Sequence, residues 1–172
     1  ELASAGFNTS KRNDMIFTGS MPRIYNSNIP PTRFYADYFR TYIERDVRKI
    51  LNVTDIDRFE LFVKLLAGRV GQLINRQALA ADVGVSDKTI ANWISVLRAS
   101  YIIFPLKPYY RNFGKRQTKA PKIYFFETGL VSYLLGIRTS EMVATHPLVG
   151  NLFENLVVSE EIKHRFNKGK ES

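Results

Sequence analysis

Residues 76–95, RQALAADVGVSDKTIANWIS, constrain this chain more tightly than any other stretch, because they describe two short helices turned about one glycine. Leu79 and Val83 lie four apart on one helical face, and Gly84 can take the left-handed conformation that a Cβ opposes. Ser86 is a good N-cap for a second helix, in which Ile90, Trp93, Ile94 and Leu97 recur at three- and four-residue steps. That stripe packs on the first helix, and small Ala80 lets the two approach closely. The spacing predicts a helix-turn-helix. Ser86, Asp87, Lys88, Ala91, Asn92 and Ser95 are then left facing outward, where this motif meets a DNA groove.

The flanks extend this core. From Pro31, Phe34, Tyr38 and Tyr42 form one row and Tyr35, Phe39, Ile43, Val47 and Leu51 a neighbouring row, which predicts a long helix with a broad apolar face. Arg40, Glu44 and Arg48 alternate in sign along its solvated side. Thr54 and Asp57 give a capping box for a helix through Ile56, Phe59, Phe62, Leu66 and Val70, ending near Gly71. After the paired motif, residues 101–106 and 123–126 read as strands joined by a loop, and a short helix through Leu130, Val131, Leu134 and Leu135 stops at Gly136. The expected fold is therefore mainly α with a small β-hairpin, a winged helix-turn-helix with additional N- and C-terminal helices. Residues 1–30, rich in Ser, Asn, Gly and Pro, read as a linker or tail with at most short structure. Residues 31–137 read as the helical and winged domain, and 138–172 as a connector followed by one last helix from about Leu148. Glu1 in place of Met points to a chain cut from a longer one.

Charge and composition narrow the partners. The net charge of +9 favours an anionic partner, nucleic acid first. The absence of cysteine excludes disulfides and thiolate zinc sites, and two histidines, His146 and His164, are too few for a usual metal cluster. No apolar run reaches the length of a membrane span and no signal pattern opens the chain, so no membrane partner and a cytoplasmic location are expected. No internal repeat is visible. Self-association is left open.

The most lopsided segment is residues 107–122, KPYYRNFGKRQTKAPK, with six basic residues, no acidic one, and Tyr109, Tyr110 and Phe113 between them. As a wing it would lay Lys107, Arg111, Lys115, Arg116 and Lys119 along phosphates, beside Ser86, Lys88, Asn92 and Ser95 of the second motif helix. The plainer alternative is a solvated loop whose tyrosines cover the core, or a surface that meets an acidic protein. Asp87 offsets Lys88, so contacts to the DNA backbone are expected in preference to base readout. No phosphate-cradling G-x-x-x-x-G-K-[ST] loop is present, so no ATP hydrolysis and no other catalysis is expected of this chain alone. His146 and His164 read as surface residues. On the last helix Leu152, Phe153, Leu156 and Val157 form an apolar stripe that should also carry Glu160, and Glu154 lies at another edge. Those two glutamates are the only weak catalytic candidates, and two surface side chains are the simpler account of them. No metal site is expected.

Several segments in order resemble the C-terminal region of a widespread prokaryotic family of AAA-superfamily ATPases. They are Gly19-Ser-Met-Pro22, Tyr42-Ile-Glu-Arg-Asp-Val47, the paired helices with Trp93 and Leu97, residues 122–130 (KIYFFETGL) and residues 150–160 (GNLFENLVVSE). The family tends to show paired glycines where this chain has Gly19-Ser20, and Asp where it has Glu127. The resemblance implies a P-loop ATPase upstream, a winged helix, and a C-terminal domain similar to restriction-endonuclease-type nucleases. It implies ATP and Mg²⁺ for the whole protein and neither for this chain. It also implies that the ATPase and nuclease-like domains are partners of this portion. Glu154 and Glu160 fall where the nuclease-like fold begins, with the later Mg²⁺-binding acids and lysine beyond Ser172. The alternative to DNA binding is a connector, in which the winged helix packs the ATPase against the nuclease-like domain or another subunit.

Overall fold

The computed structural model describes residues 9–47, 56–108 and 120–169. They form a mainly helical protein with one small antiparallel sheet. Helices α1 (Thr9–Thr18), α2 (Pro22–Ser27) and α3 (Pro31–Tyr42) come first, and Ile43–Val47 continue α3 as a π-helical turn. Next are α4 (Ile56–Ala67), α5 (Arg76–Val83) and α6 (Asp87–Ala99), then strands β1 (Ile103–Leu106) and β2 (Lys122–Phe125). Helices α7 (Thr128–Leu134), α8 (Ser140–Thr145) and α9 (Val149–Asn167) complete the described chain.

Three of these elements, α1, α2 and α8, lie where the sequence reading expects a tail and a connector. The expected tail over residues 1–30 is helical over residues 9–18 and 22–27, and α1 packs on α7 and α8 with Ile16 fully buried. Its few apolar residues sit among polar ones in sequence, so the burial comes from partners more than a hundred residues away. The expected connector at Thr139 to Pro147 holds α8, capped by the Thr139 hydroxyl accepting from the Met142 N–H. The long helix from Pro31 keeps its buried row of Tyr35, Phe39, Ile43 and Val47, while Leu51 and the Thr54 cap lie outside the described residues. Arg40 reaches Asp37 at 3.7 Å, and Arg48 is outside the described residues.

The core runs through the molecule's centre. Phe59 and Phe62 of α4 meet Trp93 of α6 with ring centroids 5.4 and 5.5 Å apart, and Leu79, Ile90 and Leu97 close the contact between α5 and α6. The hairpin covers the other side with Ile103, Ile123 and Phe125.

Sheet register explains two awkward residues. Ile103 pairs with Phe125 and Pro105 with Ile123. The Ile123 N–H and C=O both turn away from β1, to the Gln72 carbonyl (3.1 Å) and the Gly71 N–H (2.8 Å), so Pro105 sits where no donor is required. Ile74 N–H adds a bond to the Pro121 carbonyl at 3.1 Å. Residues 71–74 thus lie along the second edge of β2, a short pairing that the sequence reading did not anticipate. Phe125, the next residue facing that edge, finds no further backbone there. The Asn155 amide serves it instead, accepting from its N–H (2.7 Å) and donating to its carbonyl (3.2 Å). Among the described residues no helix is long and apolar enough to cross a membrane.

Candidate nucleic-acid interface

The interface predicted from sequence starts at the corner between α5 and α6. Gly84 adopts φ +74, and its N–H closes α5 onto the Ala80 carbonyl at 2.9 Å. Asn75 caps α5, and Ser86 caps α6 by accepting from the Thr89 N–H at 3.0 Å. The buried side of α6 carries Ile90, Trp93, Val96 and Leu97. Ser86, Lys88, Asn92 and Ser95 are all exposed, as the helical spacing requires.

These four side chains are not equally available. The Ser86 hydroxyl is occupied by its cap and by Thr89 Oγ1 at 2.9 Å, and the Ser95 hydroxyl donates back to the Ala91 carbonyl at 3.0 Å. Lys88 and Asn92 make no side-chain bond to the described residues. Asp87 lies 3.4 Å from Arg76 Nε, so its charge is countered within the pair of helices.

Of the basic segment, Lys107 is exposed and Lys122 is committed elsewhere. The Lys122 ammonium lies 2.7 Å from Glu154 Oε1, and the Tyr124 hydroxyl donates to the same oxygen at 2.5 Å. The Lys122 bond first, and the Tyr124 bond second, hold the Glu154 carboxyl below the usual carboxylate range. Burial, followed by the bond to Glu154, pushes the Tyr124 hydroxyl up. Arg111, Lys115, Arg116 and Lys119 lie outside the described residues.

Glu154 and Glu160 do not come together. Six residues apart on α9, they project about a third of a turn from each other, and Glu160 pairs with Lys163 at 2.9 Å. With an ammonium already on Glu154, this pair does not fit a Mg²⁺ ion. Among the described residues no group of three or more His, Asp or Glu side chains could hold a metal. The apolar stripe expected on α9 is also rotated. Its buried face is Leu152, Asn155, Leu156 and Ser159, while Phe153 is half-buried and Val157 is 43% exposed. Leu152 and Leu156 are buried and Phe153 packs at the edge of the core as expected, while Val157 is displaced outward and Asn155, held by the β2 backbone, takes an inward place. His146 is half-buried, its Nδ1 accepting from the Leu148 N–H at 3.1 Å ahead of α9, and His164 is exposed.

A second polar cluster joins the chain's two ends. Glu127, buried at the start of α7, accepts from the Ser20 N–H (2.8 Å), the Ser20 hydroxyl (3.0 Å) and the Gly129 N–H (3.4 Å). Lys163 donates to the Ser20 hydroxyl at 2.6 Å, so the network runs from α9 through the Gly19-Ser20 turn to Glu127. Tyr35 bonds the Thr18 carbonyl at 3.0 Å, and burial next to Glu127 pushes its hydroxyl up. Local spacing identifies Glu127 as a cap only, since Ser20 lies 107 residues away.

The chain is similar in sequence to two curated mycobacterial proteins. An uncharacterized protein of Mycobacterium tuberculosis, Rv2008c, and one of Mycobacterium bovis, Mb2031c, are each 28% identical over 144 residues. The match takes in 83% of this chain and 33% of each relative, so the chain spans about a third of the length of the curated relatives it matches. No solved structure matches it significantly. Residues 9–141, from α1 into α8, match the family described as a domain of unknown function (DUF8612), and the chain belongs to that family.

Proposed function

We propose that this chain is a non-catalytic winged-helix module that binds duplex DNA through its phosphates. The observation that carries the reading is the outward face of α6, where exposed Lys88 and Asn92 stand clear of a helix corner fixed by Gly84 and Ser86. The strand order supports it too. Residues 71–74, β2 and β1 lie side by side around the helix pair, and the basic segment 107–122 leaves from the β1–β2 end, as a wing does. The charge of +9 supplies the attraction. Lys122 pairs with Glu154, so the reading assigns the phosphate contacts to the other basic residues of that segment, Lys107, Arg111, Lys115, Arg116 and Lys119.

Substituting Lys115, Arg116 and Lys119 by Ala tests the reading. Anisotropy with labelled duplexes of different sequence should report weaker binding to all of them alike, as contacts to backbone require. Unchanged binding, or a loss confined to one sequence, would reject it. We further propose, from the resemblance alone, that the whole protein is an AAA-type ATPase whose ATP and Mg²⁺ bind outside this chain.

A second reading, a connector between domains or subunits, is favoured by the short polar reach of α6, since Ser86 and Ser95, two of the four outward side chains, are already hydrogen-bonded to Thr89 and the Ala91 carbonyl. On that reading the same three substitutions leave DNA behaviour untouched and change the size-exclusion profile of the full-length protein.

A further inference from the structure

A groove of about 490 Å³ opens between the outward flank of α6, the outer face of the hairpin and the last turns of α9. Tyr101, Phe104, Phe126 and Phe166 line it, with Ser95 and Arg98 along the α6 side and no carboxylate among its lining residues. The rings form a continuous row. Phe126 lies 4.7 Å from Phe104, 5.8 Å from Tyr101 and 6.3 Å from Phe166, centroid to centroid.

Ordinary core packing does not explain the row. Tyr101 is 70% exposed and Phe166 is 41% exposed, and exposed Leu106 joins them in the same groove. Tyr101 also has φ +54, at the position after the α6 C-cap where glycine is the favoured residue. The Ile102 N–H bonds the Leu97 carbonyl at 2.9 Å and closes this end of the helix around it. A bulky residue in the left-handed region is strained. Here that strain holds an aromatic ring in water beside Arg98, whose guanidinium makes no ion pair with the described residues.

We infer that the groove binds a single-stranded nucleic acid segment, with bases stacked on Tyr101 and Phe166 and a phosphate at Arg98. The rings offer apolar faces, and the rim and the whole chain are positive, so the occupant must be both flat and apolar and anionic. Every nucleotide of an unpaired strand has both properties. A peptide would need acidic and apolar residues in alternation to match. The inference extends the nucleic-acid reading above and rests on it for the class of polymer. Ser95 lies on both surfaces, so an unpaired strand in the groove would continue from a duplex on α6.

The test is anisotropy with a short fluorescein-labelled oligothymidylate and, in parallel, a duplex of the same length, using the wild-type chain, Tyr101→Gly and Phe166→Ala. Glycine suits φ +54, so Tyr101→Gly removes the ring without opposing the fold, and a melting curve checks both variants. Each substitution should weaken oligothymidylate binding by on the order of tenfold and leave the duplex unaffected. Oligothymidylate bound equally by wild type and both folded variants would overturn the inference. So would a groove that takes an acidic apolar peptide in competition with no nucleic acid. Duplex binding without single-strand binding defeats this inference alone, loss of duplex binding only defeats the α6 reading, and absence of both defeats the two together.

Discussion

The helix pair α5–α6 and the seam that ties α1 and the Gly19-Ser20 turn to α7 and α9 are built by opposite means. The pair is dry inside, with Leu79, Ile90, Trp93 and Leu97 in contact, while Lys88, Asn92 and Ser95 of α6 are exposed and Asp87 turns toward Arg76 of α5. The seam is wet by comparison. It buries Glu127, Thr128, Ser132, Asn155 and Ser159, and satisfies Glu127, Ser132 and Asn155 with partners distant in sequence, such as the Ser132 hydroxyl on the Ile16 carbonyl at 3.1 Å. The glycines show the same contrast. A Cβ on Gly84 would meet nothing within 4 Å, so this glycine is there for its backbone angle. A Cβ on Gly129 would fall on the Tyr35 ring and hydroxyl, so that glycine is there for space.

Four substitutions sharpen or break this contrast. Gly129→Ala should cost most, about 3 kcal/mol, because Tyr35 is fully buried and has nowhere to move; urea unfolding would measure it, and a cost below that of Gly84→Ala would break the contrast. Glu127→Ala should follow at about 2 kcal/mol, from the Ser20 and Gly129 N–H groups left without an acceptor. Gly84→Ala should cost about 1 kcal/mol, the backbone penalty alone. Glu154→Gln should have the smallest effect at neutral pH, since the pair with Lys122 is half-exposed and screened by solvent.

The last of these carries a pH signature. The folded-state carboxyl of Glu154 lies below its ordinary range, so its stabilising contribution is present at neutral pH and is lost as the pH falls through that depressed value. Unfolding midpoints of the wild type should therefore decline in acid more steeply than those of Glu154→Gln. Parallel declines would remove Glu154 from the account.

The same contrast explains what could be read in advance. The corner at Gly84, the Ser86 cap and the α6 stripe use partners within a few residues, so their spacing is visible in a single sequence. Asn155 is the opposite case. Nothing near it signals burial, because its partner is the unpaired edge of β2 at Phe125, thirty residues away. The inward turn of the α9 stripe toward Asn155 and the packing of α1, whose Ile16 is covered by α7 and α8, both come from such distant partners. On the outward face read from the spacing, Ser86, Lys88, Asn92 and Ser95 are exposed, whereas Asp87 and Ala91 are half-buried. The commitment of Lys122 to Glu154 was not legible, since it joins a strand to a helix across the intervening α7 and α8.

The central claim, that this surface grips the phosphates of duplex DNA, is tested most directly by the salt dependence of binding. Dissociation constants for one duplex, measured by anisotropy across a range of salt concentrations, should give a slope of log affinity against log salt of about −4.5 if Lys107, Arg111, Lys115, Arg116 and Lys119 each meet phosphate. A slope near zero, or no binding at the lowest salt, would contradict it.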